Sequence, residues 1–185
     1  MKTVSQRPTS AYIHIPFCTQ ICYYCDFAKV YIKNQPVDDY ITALLAEFHA
    51  ANISALKTIY IGGGTPTALS APQLDRLLSG ITQHLDLTAL EEFTVEANPG
   101  DLSDDKIAVL KAHHVNRVSL GVQTFNDKLL KKIGRSHTAQ DVFDNIGKLR
   151  QTGFETITID LIYALPTQTL ADVKKDVATL LTLDL

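Results

Sequence analysis

Three cysteines lie within eight residues of one another near the start of the chain. Cys18, Cys22 and Cys25 form the pattern CxxxCxxC, and the other positions of the 185-residue sequence contain no cysteine. An odd, tightly spaced set is not a disulfide framework, and in a reducing compartment such spacing indicates metal ligation or redox chemistry. Three thiolates on one short loop can hold three corners of a cubic iron–sulfur cluster and leave the fourth iron open to another ligand. A structural zinc site would need a fourth protein ligand, His14, and unpaired structural thiols are the third interpretation.

Glycines and a carboxylate at the ends of apolar runs form a second candidate site. Gly62, Gly63 and Gly64 permit close approach of the backbone to a ligand, although glycines after a strand also make ordinary turns. Glu96 ends the apolar run 93–95, where a carboxylate is either exposed to solvent or needs hydrogen-bond donors. Ribose hydroxyls or an ammonium group of a ligand are suitable donors.

Gln123 and Asp160 occupy matching places near the ends of two later predicted strands. Asp160 lies within the apolar run 157–162, so we expect a buried carboxylate that requires a partner. Arg135 is a candidate for that partner, or for a bidentate contact with a ligand carboxylate, although an arginine beside Gly134 is also a common helix-end charge.

The elements that must position these residues alternate between strand and helix. Strands are predicted from period-two apolar patterns and helices from spacings of three and four residues. The predicted strands are residues 11–17, 58–61, 92–97, 117–122 and 156–163. The predicted helices are residues 38–50, 71–84, 103–113, 126–133, 139–152 and 170–182. His113 and His114 end one of these helices, and we expect both at the surface.

This alternation predicts an α/β fold with a parallel sheet covered by helices. In such a sheet the carboxyl ends of the strands share one edge, where ligands bind, and the CxxxCxxC loop directly follows the first strand. An open Rossmann-like sheet and a partial barrel both fit the pattern. The glycines at 62–64 are not GxGxxG and follow the second strand, which makes the nucleotide-binding fold the weaker option.

The composition limits the classes of function. Hydrophobic residues make up 45% and charged residues 20%, which excludes disorder for the bulk of the chain. The net charge of −3 lacks the basic footprint of a nucleic-acid-binding protein. The polar residues 1–10 lack a signal-peptide core, and no apolar run approaches the roughly 18 residues of a membrane span. We therefore expect a cytoplasmic protein without nucleic-acid partners or a membrane span.

These motifs together make the sequence similar to the radical S-adenosylmethionine superfamily. The cluster loop of that family is CxxxCxxC with an aromatic residue before the last cysteine, here Tyr24. Within the superfamily the chain resembles the branch of heme chaperones and oxygen-independent coproporphyrinogen III oxidases. The segments that carry the resemblance are residues 12–18, 22–27, 62–67, 96–99, 121–126, 134–137 and 160–166.

The resemblance implies a partial barrel of βα repeats with about five parallel strands, in which residues 1–185 form one incomplete core domain. It also implies a [4Fe–4S] cluster on Cys18, Cys22 and Cys25, and S-adenosylmethionine chelating the open iron. In this family one electron passes to the sulfonium, and cleavage yields a 5′-deoxyadenosyl radical. The positions that match cofactor contacts of the family are Tyr12, Tyr24, Gly63, Gly64, Thr65, Glu96, Gln123, Arg135 and Asp160.

The residue at position 27 helps to distinguish the heme chaperones from the oxidases within this branch. The oxidase carries a fourth cysteine two positions after the third, whereas this sequence has Phe27. This favours the heme chaperones, which are thought to bind heme and pass it to acceptor proteins; the oxidase, which decarboxylates porphyrinogen propionates, is the alternative. A zinc-binding α/β module is a third reading. The residues expected to carry heme lie beyond Leu185, and we expect no turnover of coproporphyrinogen III by the chain as given.

Overall fold

A five-stranded parallel sheet forms the centre of the computed structural model, which describes residues 8–185. The prediction for the N-terminal segment therefore falls largely outside the described residues. Two further strands, β2 and β3, are two residues long and pair with each other beside the sheet. The strands are β1 Ser10–Ile15, β2 Phe17–Cys18, β3 Val30–Tyr31, β4 Thr58–Gly63, β5 Glu92–Ala97, β6 Arg117–Gln123 and β7 Thr156–Leu161.

Six α-helices connect or follow the strands: α1 Val37–Ala50, α2 Ala71–Thr82, α3 Asp104–Ala112, α4 Asp127–Lys132, α5 Ala139–Gln151 and α6 Leu170–Leu181. Every predicted boundary of a strand in the sheet or of a helix agrees with the structure within two residues. The pair β2 and β3 was not predicted. Across residues 8–185, no helix combines the length and the apolar character needed to cross a membrane.

The strand order distinguishes the two sheet types that the sequence left open. The order is β1-β4-β5-β6-β7, so each strand lies beside the one that precedes it in the sheet, and all pairs are parallel. A doubly wound sheet reverses its order at a switch point, whereas successive right-handed crossovers without reversal place the helices on one face. The predicted α/β class is confirmed, and the arrangement is that of a partial barrel.

The two faces of the sheet differ in polarity. Parallel strands that are covered on both faces read as continuous apolar runs, but here apolar and polar residues alternate. The side chains that join the helices in the main core are Ile59, Ile61, Phe93, Val95, Val118 and Leu120. Those at the alternate positions are Tyr60, Glu92, Thr94, Glu96, Arg117 and Ser119. The second set gives the sheet a polar inner face.

Helix α2 illustrates how the sequence fixes a covering helix. Ser70 caps its N-terminus: the hydroxyl accepts from Gln73 N at 3.4 Å, and the Gln73 side chain accepts from Ser70 N at 3.1 Å. The apolar side chains recur at spacings of three and four and are buried: Leu74, Leu77, Leu78 and Ile81. Burial of each stabilises the fold by about 1.5–3 kcal/mol relative to exposure.

Candidate functional site

A cavity of about 590 Å³ opens where the strands of the sheet end. Its position is the one expected for a ligand site in a parallel α/β protein. The residues predicted as cluster ligands or cofactor contacts that line it are Cys18, Cys22, Cys25, Tyr24, Gly63, Gly64, Thr65, Glu96, Gln123, Arg135 and Asp160. Tyr12 is the one predicted residue outside this wall.

The three thiols are free and differ in burial. Cys18 is buried, whereas Cys22 and Cys25 are partly exposed to the cavity. Thr65 Oγ1 donates to Cys18 Sγ at 3.7 Å, and Arg135 Nη1 donates to Cys22 Sγ at 3.4 Å. Burial raises the pKa of the Cys18 thiol, so ligation by a positively charged group is what would favour its thiolate.

Neighbouring segments hold the cysteine loop on two sides. Thr19 Oγ1 donates to both carboxylate oxygens of Asp101, which follows β5, at 2.9 Å. On the other side, Gln20 Nε2 donates to Gly134 O at 2.7 Å and Tyr23 N donates to Ile133 O at 3.1 Å. These contacts join residues more than eighty positions apart, so the conformation of the loop depends on the completed fold.

The donor set fits a cluster better than a single zinc ion. His14, the predicted fourth zinc ligand, has Nδ1 bonded to the Tyr12 hydroxyl at 3.0 Å and Nε2 bonded to Ala28 O at 2.8 Å. Within the described range 8–185, no three His, Cys, Asp or Glu side chains come together closely enough to hold one metal ion. Three free thiols around a shared cavity, two of them with donors to sulfur, suit a larger group with thiolate ligands.

Glu96 receives two hydrogen bonds from protein groups at the cavity wall. The Tyr60 hydroxyl donates to Oε1 at 2.6 Å, and Gly63 N donates to Oε2 at 3.1 Å. Burial, and then the bond to Glu96, raise the pKa of Tyr60, so the phenol stays protonated and keeps donating. Glu96 is thus fixed in place, with lone pairs left for a ligand.

The glycines at the end of β4 and directly after it do more than make a turn. Gly63 has φ of 119°, and a Cβ there would lie 2.5 Å from the His14 ring. A Cβ on Gly64 would lie 2.7 Å from the backbone oxygen of Phe17. Both positions therefore require glycine, because β4 passes this close to the segment that leads into the cysteine loop.

Arg135 has contacts that a simple helix-end charge would not have. Besides Cys22, it donates from Nη2 to Asn98 Oδ1 at 3.0 Å and to the carbonyl of Gly121. Its buried Nε finds no acceptor among residues 8–185. The guanidinium therefore lies in the cavity wall with one donor still unpaired.

Asp160 was expected to be buried, and that expectation is wrong; of the two roles considered for Arg135, pairing with Asp160 does not occur among the described residues. The residue is exposed, and its side-chain contact is Ser119 Oγ at 3.4 Å. The apolar pattern predicted burial, but β7 pairs with β6 alone among the described strands, so no strand covers its other side. Asp160 nevertheless lines the cavity.

No role was predicted for Asn98, although its side chain lies at the centre of the polar network. Asn98 Oδ1 accepts from Arg135 and from Gly100 N, and its Nδ2 donates to Asp101 at 3.1 Å. His137 Nδ1 lies 3.2 Å from the same Oδ1, and its Nε2 lies 3.2 Å from Val122 O. Burial and the charge of Arg135 lower the pKa of His137 to about 4. Both residues belong to segments that carried the family resemblance, which was the available signal.

Two other predictions concern residues near the site or at the surface. Tyr12 is 60% exposed, and its ring stacks on Tyr60 with centroids 6.1 Å apart, beside the cavity rather than in its wall. The prediction that His113 lies at the surface is wrong. Its side chain is only 17% exposed and lies 2.7 Å from Asp75, because α2 and α3 pack together. His114 is exposed as predicted.

Comparisons with known proteins agree with this geometry. The family model described as the radical SAM superfamily matches residues 12–180. The heme chaperone HemW of Lactococcus lactis is 63% identical over 180 residues, covering 97% of this chain and 48% of the relative. HemW of Bacillus subtilis is 52% identical, and the oxygen-independent coproporphyrinogen III oxidase of Escherichia coli is 36% identical over 169 residues.

The solved structure of the Escherichia coli coproporphyrinogen III oxidase superposes with a TM-score of 0.86 at 32% identity, covering 96% of this chain and 42% of that one. The methyltransferase TsrM of Kitasatospora setae shares the fold alone, with a TM-score of 0.69 at 16% identity. The chain spans about half the length of the curated chaperones that it matches. With a family match across almost its full length and this cysteine-lined cavity, the chain belongs to the radical SAM superfamily.

Proposed function

We propose that this chain is the cofactor-binding part of a heme chaperone. It binds a [4Fe–4S] cluster through Cys18, Cys22 and Cys25, and it binds S-adenosylmethionine beside that cluster. The observation that supports this most strongly is the single cavity that gathers the three free thiols and the polar ends of successive strands. The sequence match to the family supports the identity of both cofactors.

Different residues of the cavity wall hold different parts of S-adenosylmethionine. Gly63 and Gly64 bring backbone groups close to the methionyl ammonium, and Glu96, already fixed by Tyr60, accepts from the ammonium or from ribose hydroxyls. Arg135 offers its guanidinium to the cofactor carboxylate. When bound, the cluster supplies the electron for reductive chemistry, and the protein orients the cofactor and excludes water.

Heme as the cargo is supported by the relatives. Those named heme chaperone include matches of 63%, 52% and 40% identity, whereas the oxidases match at 36%. Phe27 stands in the cavity wall and is 72% exposed, at the position where the oxidase branch has a cysteine. Transfer of heme to acceptor proteins, and a cytoplasmic location with reduced thiols, belong to this proposal.

The second candidate is oxygen-independent coproporphyrinogen III oxidase. The superposition on the Escherichia coli oxidase over 96% of this chain favours it. That enzyme would use the same cofactors in the same cavity. The two functions therefore differ in what the bound cofactors act on, which only a test with heme and porphyrinogen separates.

Anaerobic reconstitution of the full-length protein with iron and sulfide tests the proposal. We expect about four irons per chain, a visible absorption band from the cluster, a spectral change on adding S-adenosylmethionine, and a separate heme spectrum on adding heme. Stoichiometric tight zinc with no uptake of iron would overturn the proposal. The variant Lys33→Ala is a matched control, because Lys33 is exposed on the same stretch of chain and outside the cavity wall.

A further inference from the structure

At the end of β6, Gln123 has a backbone conformation that is unfavourable for residues other than glycine. Gln123 has φ of 70°, and Thr124 N donates to Val122 O at 2.9 Å. A hydrogen bond from residue i+2 to residue i around a residue with positive φ is a γ-turn of the rare, strained kind. The ladder between β6 and β7 is also irregular between Gly121 and Gln123. Such strain persists only where surrounding contacts hold it.

The contacts that hold this turn come from a buried carboxylate on α6. Asp176 Oδ2 accepts from Thr124 Oγ1 at 2.7 Å, and Oδ1 accepts from Phe125 N at 2.8 Å. Thr124 is fully buried, and Asp176 is 5% exposed. The two carboxylate oxygens thus bind the two residues that directly follow Gln123.

Asp176 occupies an unusual place for an acid. Throughout α6, all of which belongs to the described part of the chain, Asp176 is the only buried side chain. A helix that covers a sheet normally buries an apolar stripe, but α6 leaves Leu170, Val177 and Leu181 exposed. A buried carboxylate is costly unless it is hydrogen-bonded, so its place here points to a role in ordering the turn.

We infer that Asp176 is the positioning residue that keeps Gln123 in its left-handed conformation and directs the Gln123 side chain into the cofactor cavity. The link runs from Asp176 through Thr124 to the γ-turn, while Gln123 O accepts from Ile162 N at 2.9 Å on the other side. Gln123 itself is buried in the cavity wall. This inference rests on the proposed function, because it takes Gln123 as a contact for S-adenosylmethionine.

The first arm of the test needs no cofactor. Crystal structures of the Asp176→Asn and Thr124→Val variants report directly on the conformation of Gln123. We expect φ of Gln123 to leave the positive region and its side chain to leave the cavity. Asp176→Asn replaces the charged acceptor of both bonds by a neutral amide, and Thr124→Val removes the hydroxyl that donates to Asp176 and accepts from Asn126 N, so each variant weakens the contacts that oppose the strain. Thr124→Val keeps the shape of the side chain, so it serves if Asp176→Asn does not fold. Gln123 unchanged in a folded variant would overturn the inference.

The second arm measures S-adenosylmethionine affinity and iron content on the same anaerobically reconstituted samples. We expect Asp176→Asn and Thr124→Val to bind the cofactor roughly tenfold more weakly with unchanged iron per chain, as is typical when a supporting partner is removed. Thr124→Ser keeps the hydroxyl and should restore the affinity. Displaced Gln123 with wild-type affinity would overturn the inference.

Asp172→Asn is the matched control. Asp172 lies on the same helix and accepts from the Asn126 side chain at 3.1 Å, but it has no bond to Thr124 or Phe125 N. We expect this variant to lose stability without losing affinity, since the turn at Gln123 is left intact. Equal losses of affinity in both acid variants would show a general effect of α6 and would contradict the assignment. If the wild-type protein binds no S-adenosylmethionine, the proposed function fails, whereas the crystal structures still decide what holds Gln123.

Discussion

Each of the three cysteines is expected to be indispensable. No other cysteine exists in the sequence to take the place of a lost ligand. We therefore predict that alanine at position 18, 22 or 25 abolishes the cluster, with iron and visible absorption after anaerobic reconstitution as the measurement. A Cys22→Ala variant with the full cluster spectrum would contradict the assignment. Lys33→Ala should keep the wild-type iron content.

His137 predicts a pH dependence of folding. Its pKa is lowered from 6.5 to about 4, because burial and Arg135 oppose the charged ring. The unfolded chain then binds a proton that the folded chain does not, so stability is full above pH 6.5 and is lost as the pH falls toward 4. At about 1.4 kcal/mol per pKa unit, the loss is roughly 3 kcal/mol.

Denaturant unfolding of the iron-free protein between these pH values measures this effect. His137→Gln should remove most of the slope while lowering stability at neutral pH. His114→Asn is the control, because His114 is exposed, and it should keep the wild-type slope. An unchanged slope in His137→Gln would show that other groups titrate.

At the residue scale, the spacing of residues predicted the chemistry of the site better than it predicted which side chains are buried. The cysteine pattern and the strand-end residues come together in one cavity. The sequence could not show that Asp160 is exposed, because an edge strand and a central strand have the same apolar pattern. Nor could it show that Asn98 links Arg135 and His137, since those contacts join residues far apart in the chain.

At the scale of elements, the surroundings of two glycines predict opposite effects of an added side chain on stability. A Cβ on Gly64 would lie 2.7 Å from Phe17 O and 2.8 Å from Pro16 C, and backbone atoms cannot rotate away. We expect Gly64→Ala to lower stability by about 1–3 kcal/mol and to weaken cluster assembly. Gly147 lies within α5 with nothing within 4 Å of its Cβ position. Gly147→Ala should raise stability by about 0.5–1 kcal/mol.

Thermal unfolding of both variants, with iron content on the same samples, checks this pair. Equal stability of Gly64→Ala and the wild type would mean that the turn at the end of β4 tolerates a side chain.

The helices and the long strands were predictable because periodicity averages over many residues. The two-residue strands β2 and β3 have no period to read, and the γ-turn at Gln123 has no glycine to mark it.

At the scale of the whole molecule, the alternation of strands and helices predicted the parallel sheet, but it did not predict the strand order. Order depends on which strands pair, and a local pattern carries no information on pairing. The sequential order places the helices on one face and leaves the inner face polar. That polar face ends at the cavity with Glu96 and Asp160, so one topological fact accounts for the position of the whole site.

We propose that this cavity serves a heme chaperone and not a porphyrinogen oxidase. The most direct measurement supplies the full-length, anaerobically reconstituted protein with S-adenosylmethionine and reductant, and then with heme in one sample and coproporphyrinogen III in another. We expect a stoichiometric heme spectrum in the first sample and no protoporphyrinogen in the second. Protoporphyrinogen formed with S-adenosylmethionine consumed, and no heme spectrum, would contradict it.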